Sequence, residues 1–145
     1  MPTTYLLKTE PNEYSYDDLA REGRAAWDGV ANAAAQKHMR AMREGDDALI
    51  YHTGTEKRIA GLARVVKGPY ADPAFPGTTA AGDPKRVLVD LEPVTAATKR
   101  ITLKDLKSDT RFEGFALVNQ PRLSVMSVPE EMAALLKQRA GLPTS

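Results

Sequence analysis

Two Ser/Thr-x-x-Asp signatures, Ser15-Tyr16-Asp17-Asp18 and Thr102-Leu103-Lys104-Asp105, stand among apolar runs that alternate with a period of two, and this interleaving most narrows the fold. Each signature starts a helix, because the hydroxyl and the carboxylate satisfy backbone N–H groups that the first turn leaves free. The alternating runs read as strands. The first covers residues 4–8, with Tyr5 and Leu7 on one face and Leu6 and Lys8 on the other; further strands are predicted over 25–27, 47–52, 59–67, 86–94 and 123–128. Helices are predicted from Ser15 to Gly23, over 33–43, after Thr102, and from Pro129 to Gly141. In the second of these Ala35, Met39 and Met42 form the buried stripe, leaving Gln36, Lys37, Arg40 and Arg43 outside it; in the last, Met132, Leu135 and Leu136 face inward. Residues 68–85, punctuated by Gly68, Pro69, Pro73, Pro76 and Gly77, read as a long irregular connection. Strands interleaved with helices this short imply an α+β fold, a curled, barrel-like sheet with short helices packed around it, rather than a doubly wound parallel sheet.

The chain has 145 residues, which fits a single domain over 1–145 that buries around two-thirds of its unfolded surface. No linker divides it. With no cysteine, disulfide scaffolds and thiolate chemistry are excluded, and only His38, His52 and carboxylates remain for a metal, so no metal site and no cofactor are expected. No run of about 18 apolar residues and no basic-plus-apolar leader is present, so the expectation is a cytoplasmic chain, nuclear if the source is eukaryotic, with no membrane partner. The formal net charge of +1 argues against a protein that coats long nucleic acid indiscriminately. A local basic face is nevertheless encoded by Lys37, His38, Arg40 and Arg43.

The chain's one tryptophan lies in Trp27-Asp28-Gly29-Val30-Ala31-Asn32, just ahead of the basic helix. Trp27 is either a core anchor or a shelf for a planar base, and Asn32 either caps the helix or reads a base edge with its donor and acceptor. Arg122, after Asn119-Gln120-Pro121, offers its guanidinium fork either to a phosphate or to a structural ion pair. Two enzymic readings are open. His52 beside Thr53 suggests a base and a hydroxyl, although neighbours on a strand face opposite ways; Lys8-Thr9-Glu10 suggests a desolvated lysine, a hydroxyl and a carboxylate for amide hydrolysis. No phosphate-binding glycine loop and no His-x-x-x-His spacing occurs.

Tyr5-Leu6-Leu7-Lys8-Thr9-Glu10-Pro11, Tyr14-Ser15-Tyr16-Asp17-Asp18-Leu19, Trp27-Asp28-Gly29-Val30, Leu49-Ile50-Tyr51-His52-Thr53, Ile59-Ala60-Gly61-Leu62-Ala63, Tyr70-x-Asp72-Pro73 and Arg122-Leu123-Ser124-Val125, in this order, resemble the EVE domain family. The resemblance implies a PUA-like fold, related to YTH and ASCH domains, and a monomeric, non-enzymatic domain that reads a modified base, of methylated-cytosine type or another modified nucleoside, in DNA or RNA. It places Lys8, Thr9, Glu10, Trp27, Asn32, Tyr51, His52, Thr53, Arg122 and Ser124 around an aromatic-lined ligand pocket, with Lys37 and Arg40 toward the phosphates. Ala31 and Ala33 depart from the family pattern, which has Arg and an aromatic residue there. The alternative it implies is an ASCH-type amidohydrolase of an acylated nucleoside, using Lys8, Thr9 or Thr53 and a carboxylate.

Overall fold

The computed structural model describes residues 2–144. Six strands form one mixed sheet in the order β2-β5-β4-β3-β1-β6: β1 (Thr4–Thr9), β2 (Ala25–Trp27), β3 (Asp47–His52), β4 (Arg58–Ala71), β5 (Val87–Ala96) and β6 (Val125–Val128). Only β1 and β3 run parallel; the other neighbours are antiparallel. The pairing Met126↔Leu6↔Leu49↔Leu62 lays a row of four buried side chains across β6, β1, β3 and β4. The alternate row, Val125↔Leu7↔Ile50↔Gly61, is buried too, so the sheet centre is covered on both faces. Register shifts at three points between β4 and β5 bend the sheet, because an extra residue on one strand increases its local twist. The sheet curls without closing, since no hydrogen bonds among the described residues join β2 to β6.

The two capping signatures form as expected. Ser15 and Asp18 make a reciprocal box at the start of α1 (Tyr16–Glu22), and Thr102 and Asp105 make another at the start of α3 (Leu103–Lys107). The remaining helices are α2 (Ala33–Ala41), α4 (Ala116–Asn119) and α5 (Glu130–Arg139). α1 is tied to the sheet at both ends of Tyr16: its N–H donates to His52 Nε2 at 3.0 Å and its hydroxyl to the Leu62 carbonyl at 2.7 Å. Its ring lies over Gly61, where a Cβ would stand 2.5 Å from Cε1, so only glycine lets the helix sit this close.

Four expectations need correction. The connection read as residues 68–85 begins later, because β4 runs on to Ala71, with Tyr70 and Ala71 paired to Leu88 and Val87. The final strand is confined to Val125–Val128. Gln36, placed outside the α2 stripe, is buried, because its amide bonds the Val30 carbonyl and both the N–H and the carbonyl of Val87. On α5 the buried positions are Ala133, Leu136 and Lys137, with Met132 and Leu135 only partly covered. Lys137 is accommodated there by Asp47, whose carboxylate accepts from Nζ at 2.8 Å.

Candidate nucleic-acid interface

The end of β1 and the turn after β2 enclose a cavity of about 670 Å³, and Trp27 forms part of its wall. Trp27 is the last residue of β2 and pairs with Val89 of β5, which fixes its backbone at the sheet edge. The residue is only 6% exposed, and it is one of those that line the cavity. The residue is therefore both core anchor and cavity wall. Tyr14 stands edge-on to it, with ring centroids 6.0 Å apart and planes at 78°. That pair makes an aromatic corner, a geometry favoured by the opposed charge of ring edge and face. Tyr14 was not singled out in the sequence, because the chain reverses between residues 14 and 27 and nothing local links the two rings.

Of the residues predicted for the pocket, Lys8, Thr9, Glu10, Trp27 and Ser124 line this cavity. Lys8 lies in the last two residues of β1 and Glu10 directly follows the strand, and both line the cavity. The Lys8 backbone N–H donates to the Ser124 carbonyl at 2.9 Å, which holds Ser124 beside it. Lys8 Nζ donates to the Pro121 carbonyl at 3.0 Å, and burial lowers its pKa below the usual lysine value. The Thr9 hydroxyl donates to the Tyr14 carbonyl at 2.6 Å. Glu10 takes the Asn12 N–H on Oε1 at 3.2 Å, and the Thr53 hydroxyl shares its one proton between Oε2 at 3.4 Å and the Thr9 carbonyl at 3.3 Å. It presses so closely on Gly54 that a Cβ there would lie 2.8 Å from Oε2, and Gly54 has a φ of +72°, which also favours glycine.

Glu13, Glu22 and Asp28 also border the cavity, giving four carboxylates against the single cation of Lys8. Glu22 accepts from the Tyr14 hydroxyl, and burial together with that carboxylate pushes the Tyr14 pKa well above the ordinary tyrosine value.

The other predicted pocket residues lie elsewhere or are committed to the scaffold. Asn32 is the N-cap of α2, its side-chain oxygen accepting from the Ala35 N–H at 3.0 Å. Asn32 and exposed Arg122 border a second, shallower depression of about 290 Å³. Tyr51 is buried in the core, where burial pushes its hydroxyl up to about 12. His52 is buried and bridges two elements: since Nε2 accepts the Tyr16 N–H, Nδ1 carries the proton and donates to Glu56 at 3.0 Å. Thr53 sits behind Glu10, its N–H on the Thr9 carbonyl at 2.9 Å. Toward the phosphates, Lys37 is exposed. Arg40 instead clamps the connection that leads into β5, donating to the Pro84 and Lys85 carbonyls at 3.1 and 3.2 Å. Of the groups named for an enzymic reading, Lys8, Thr9 and Glu10 share the cavity, with the Lys8 ammonium on the Pro121 carbonyl and the Thr9 hydroxyl on the Tyr14 carbonyl, while His52 bonds Tyr16 and Glu56. Among the described residues no three His, Asp or Glu side chains converge to hold a metal, and no helix is long and apolar enough to cross a membrane.

Comparison with known proteins matches this arrangement to others. Human thymocyte nuclear protein 1 is 29% identical over 155 aligned positions, covering 88% of this chain and 69% of that protein. The solution structure of Rpa0253 from Rhodopseudomonas palustris superposes with a TM-score of 0.85 at 35% identity, covering 96% of this chain and 93% of that one. The crystal structure of the human THYN1 protein in complex with DNA containing 5-methylcytosine superposes with a TM-score of 0.83 at 27% identity, covering 97% and 99%. An ASCH structure from Zymomonas mobilis, at 13% identity and a TM-score of 0.52 over 89% and 90%, shares the fold alone. The model of the EVE domain matches residues 3–139, and the chain belongs to the EVE domain family.

Proposed function

We propose that this protein is a non-enzymatic reader of a modified base in DNA, taking one extruded base of methylated-cytosine type into the cavity beside Trp27. The observation that carries the reading is an open cavity of base-admitting size, about 670 Å³, walled by an aromatic corner and edged by polar side chains. It is supported by the human relative, whose structure holds DNA containing 5-methylcytosine. The energetics are sufficient. Stacking on one aromatic ring contributes about 1–3 kcal/mol. Two or three hydrogen bonds add roughly 0.5–1.5 kcal/mol each. Together these offset the few kcal/mol, in order of magnitude, needed to unstack and extrude a base. Exposed Lys37 and Arg122 are the free cations of the predicted set available to the flanking phosphates.

Because the chain has a single tryptophan, its emission reports on the cavity directly. Titration with a DNA oligonucleotide carrying one 5-methylcytosine is expected to quench that emission saturably, and the unmodified oligonucleotide to bind at least about tenfold more weakly. Equal affinity for the two, or saturable binding that leaves the emission untouched, refutes the reading.

A further inference from the structure

We propose that Glu10 selects the edge of the base, accepting a hydrogen bond from an exocyclic amino group, so that the cavity admits an amino-bearing pyrimidine and rejects its oxo counterpart. This rests on the reading of the cavity as a base pocket, and adds the discriminating group. The argument begins from the balance of donors and acceptors. Thr9 spends its proton on the Tyr14 carbonyl, so toward the cavity it offers only lone pairs. Four carboxylates add acceptors, and Lys8 is the one charged donor. A ligand that fits must therefore bring protons of its own.

Among the four carboxylates Glu10 is set apart by its surroundings. Glu13, Glu22 and Asp28 are exposed, and Glu22 is engaged by Tyr14, whereas Glu10 is half-buried. Its Oε1 accepts the Asn12 N–H, the Thr53 hydroxyl is shared between its Oε2 at 3.4 Å and the Thr9 carbonyl at 3.3 Å, and Gly54 leaves the room it occupies. These bonds use two of about four acceptor positions on an ionised carboxylate, leaving capacity for a ligand N–H. Lys8, two residues away, keeps two of its three protons after serving Pro121. Lys8 and Glu10 line the same cavity, so a donor and an acceptor are both available to a cytosine-type edge, which presents an amino donor next to ring-nitrogen and carbonyl acceptors. An oxo-pyrimidine turns a carbonyl toward Glu10 instead. Two acceptors then face each other without a proton, against a carboxylate that is half-buried.

The test compares single-stranded oligonucleotides carrying 5-methylcytosine or thymine at one position. These bases share the methyl group and differ in the amino or oxo group, and single strands remove any difference in pairing. Wild-type protein is expected to favour 5-methylcytosine by about tenfold or more. In Glu10→Gln, whose amide offers a donor to the oxo base, the preference is expected to shrink to within about threefold or reverse, while Glu113→Gln, at an exposed position away from the cavity, keeps it. Should Glu10→Gln fail to fold, the carboxyl carbon resonance of Glu10 in wild-type protein provides the readout, expected to shift with 5-methylcytosine and not with thymine. Equal wild-type affinity for the two bases overturns the role of Glu10 and leaves the base pocket standing. An unchanged preference in Glu10→Gln, or an unmoved Glu10 resonance on binding, also overturns it. Binding of neither oligonucleotide overturns the pocket and the selector together.

Discussion

Replacing Gln36 with methionine keeps the length of the side chain and removes every hydrogen bond it makes, so this change isolates the amide's contribution. In the native chain the amide lies on the buried face of α2 and joins two distant segments: Nε2 donates to the Val30 carbonyl at 2.9 Å, and Oε1 accepts the Val87 N–H at 2.9 Å. A third, longer contact of 3.4 Å reaches the Val87 carbonyl. Methionine leaves the Val87 N–H in a buried site with no acceptor, which costs about 1–3 kcal/mol. The stranded Val30 carbonyl adds on the order of 1 kcal/mol, and the gain from burying a thioether where an amide stood offsets part of the sum. The net expectation is a destabilisation of about 2–3 kcal/mol. With a urea m-value of about 1.5–2 kcal/mol per molar for a domain of this size, the unfolding midpoint should fall by roughly 1–2 M. The consequence for the cavity follows from position. Val30 borders it directly, so releasing its carbonyl frees the turn that carries Asp28 and Gly29 past Trp27. Urea unfolding followed by tryptophan emission therefore reads global stability and the turn together. A midpoint within about 0.3 M of wild type would refute the claim that this amide pins the two segments.

Two further changes probe the scaffold. Gly61→Ala places a Cβ 2.5 Å from a Tyr16 ring that the Leu62 carbonyl holds in place, so a loss of about 1–3 kcal/mol is expected, and a thermal midpoint equal to wild type would show that the ring can yield. Asp109 is held near a pKa of about 2 by its hydrogen bonds and ion pair with Arg111, with Arg139 adding to them. A carboxylate with a depressed folded pKa stabilises above its unfolded value of 3.8 and loses that contribution as pH falls toward 2. The stability curves of wild type and Asp109→Asn should therefore converge between those limits; curves that stay parallel under acid unfolding contradict the assignment.

The parts of the fold that were legible in the sequence are those whose partners lie close along the chain. Ser15 with Asp18 and Thr102 with Asp105 close rings within one helical turn, so the spacing alone announces the cap. The alternation in residues 4–8 likewise marks a strand, because side-chain direction on a strand has period two. Gln36 was misplaced because periodicity predicts which face a residue occupies from the residue's own polarity, while its partner, Val87, lies 51 positions away. The extension of β4 was hidden by Gly68-Pro69, which reads as a break although the register shift between Lys67 and Tyr70 lets pairing resume beyond it. In the pocket, Lys8, Thr9 and Glu10 were legible as a group because they end one strand. The second aromatic wall was not, since Tyr14 meets Trp27 only after α1 has turned the chain back.

The charge of the cavity also constrains how DNA can approach it. Four carboxylates against one ammonium repel a phosphate at close range. A neutral base meets no such barrier and finds acceptors for its amino protons. On the proposed reading, the same lining would admit the base and keep the backbone outside the cavity, leaving exposed Lys37 of α2 and Arg122 for the phosphates. With a formal net charge of only +1, the chain has little long-range attraction for a polyanion, so affinity has to come from the pocket rather than from counterion release. If the proposed function holds, such a reader would discriminate by what enters the cavity, and an unmodified stretch of DNA, with its bases stacked inside, would offer it little to hold.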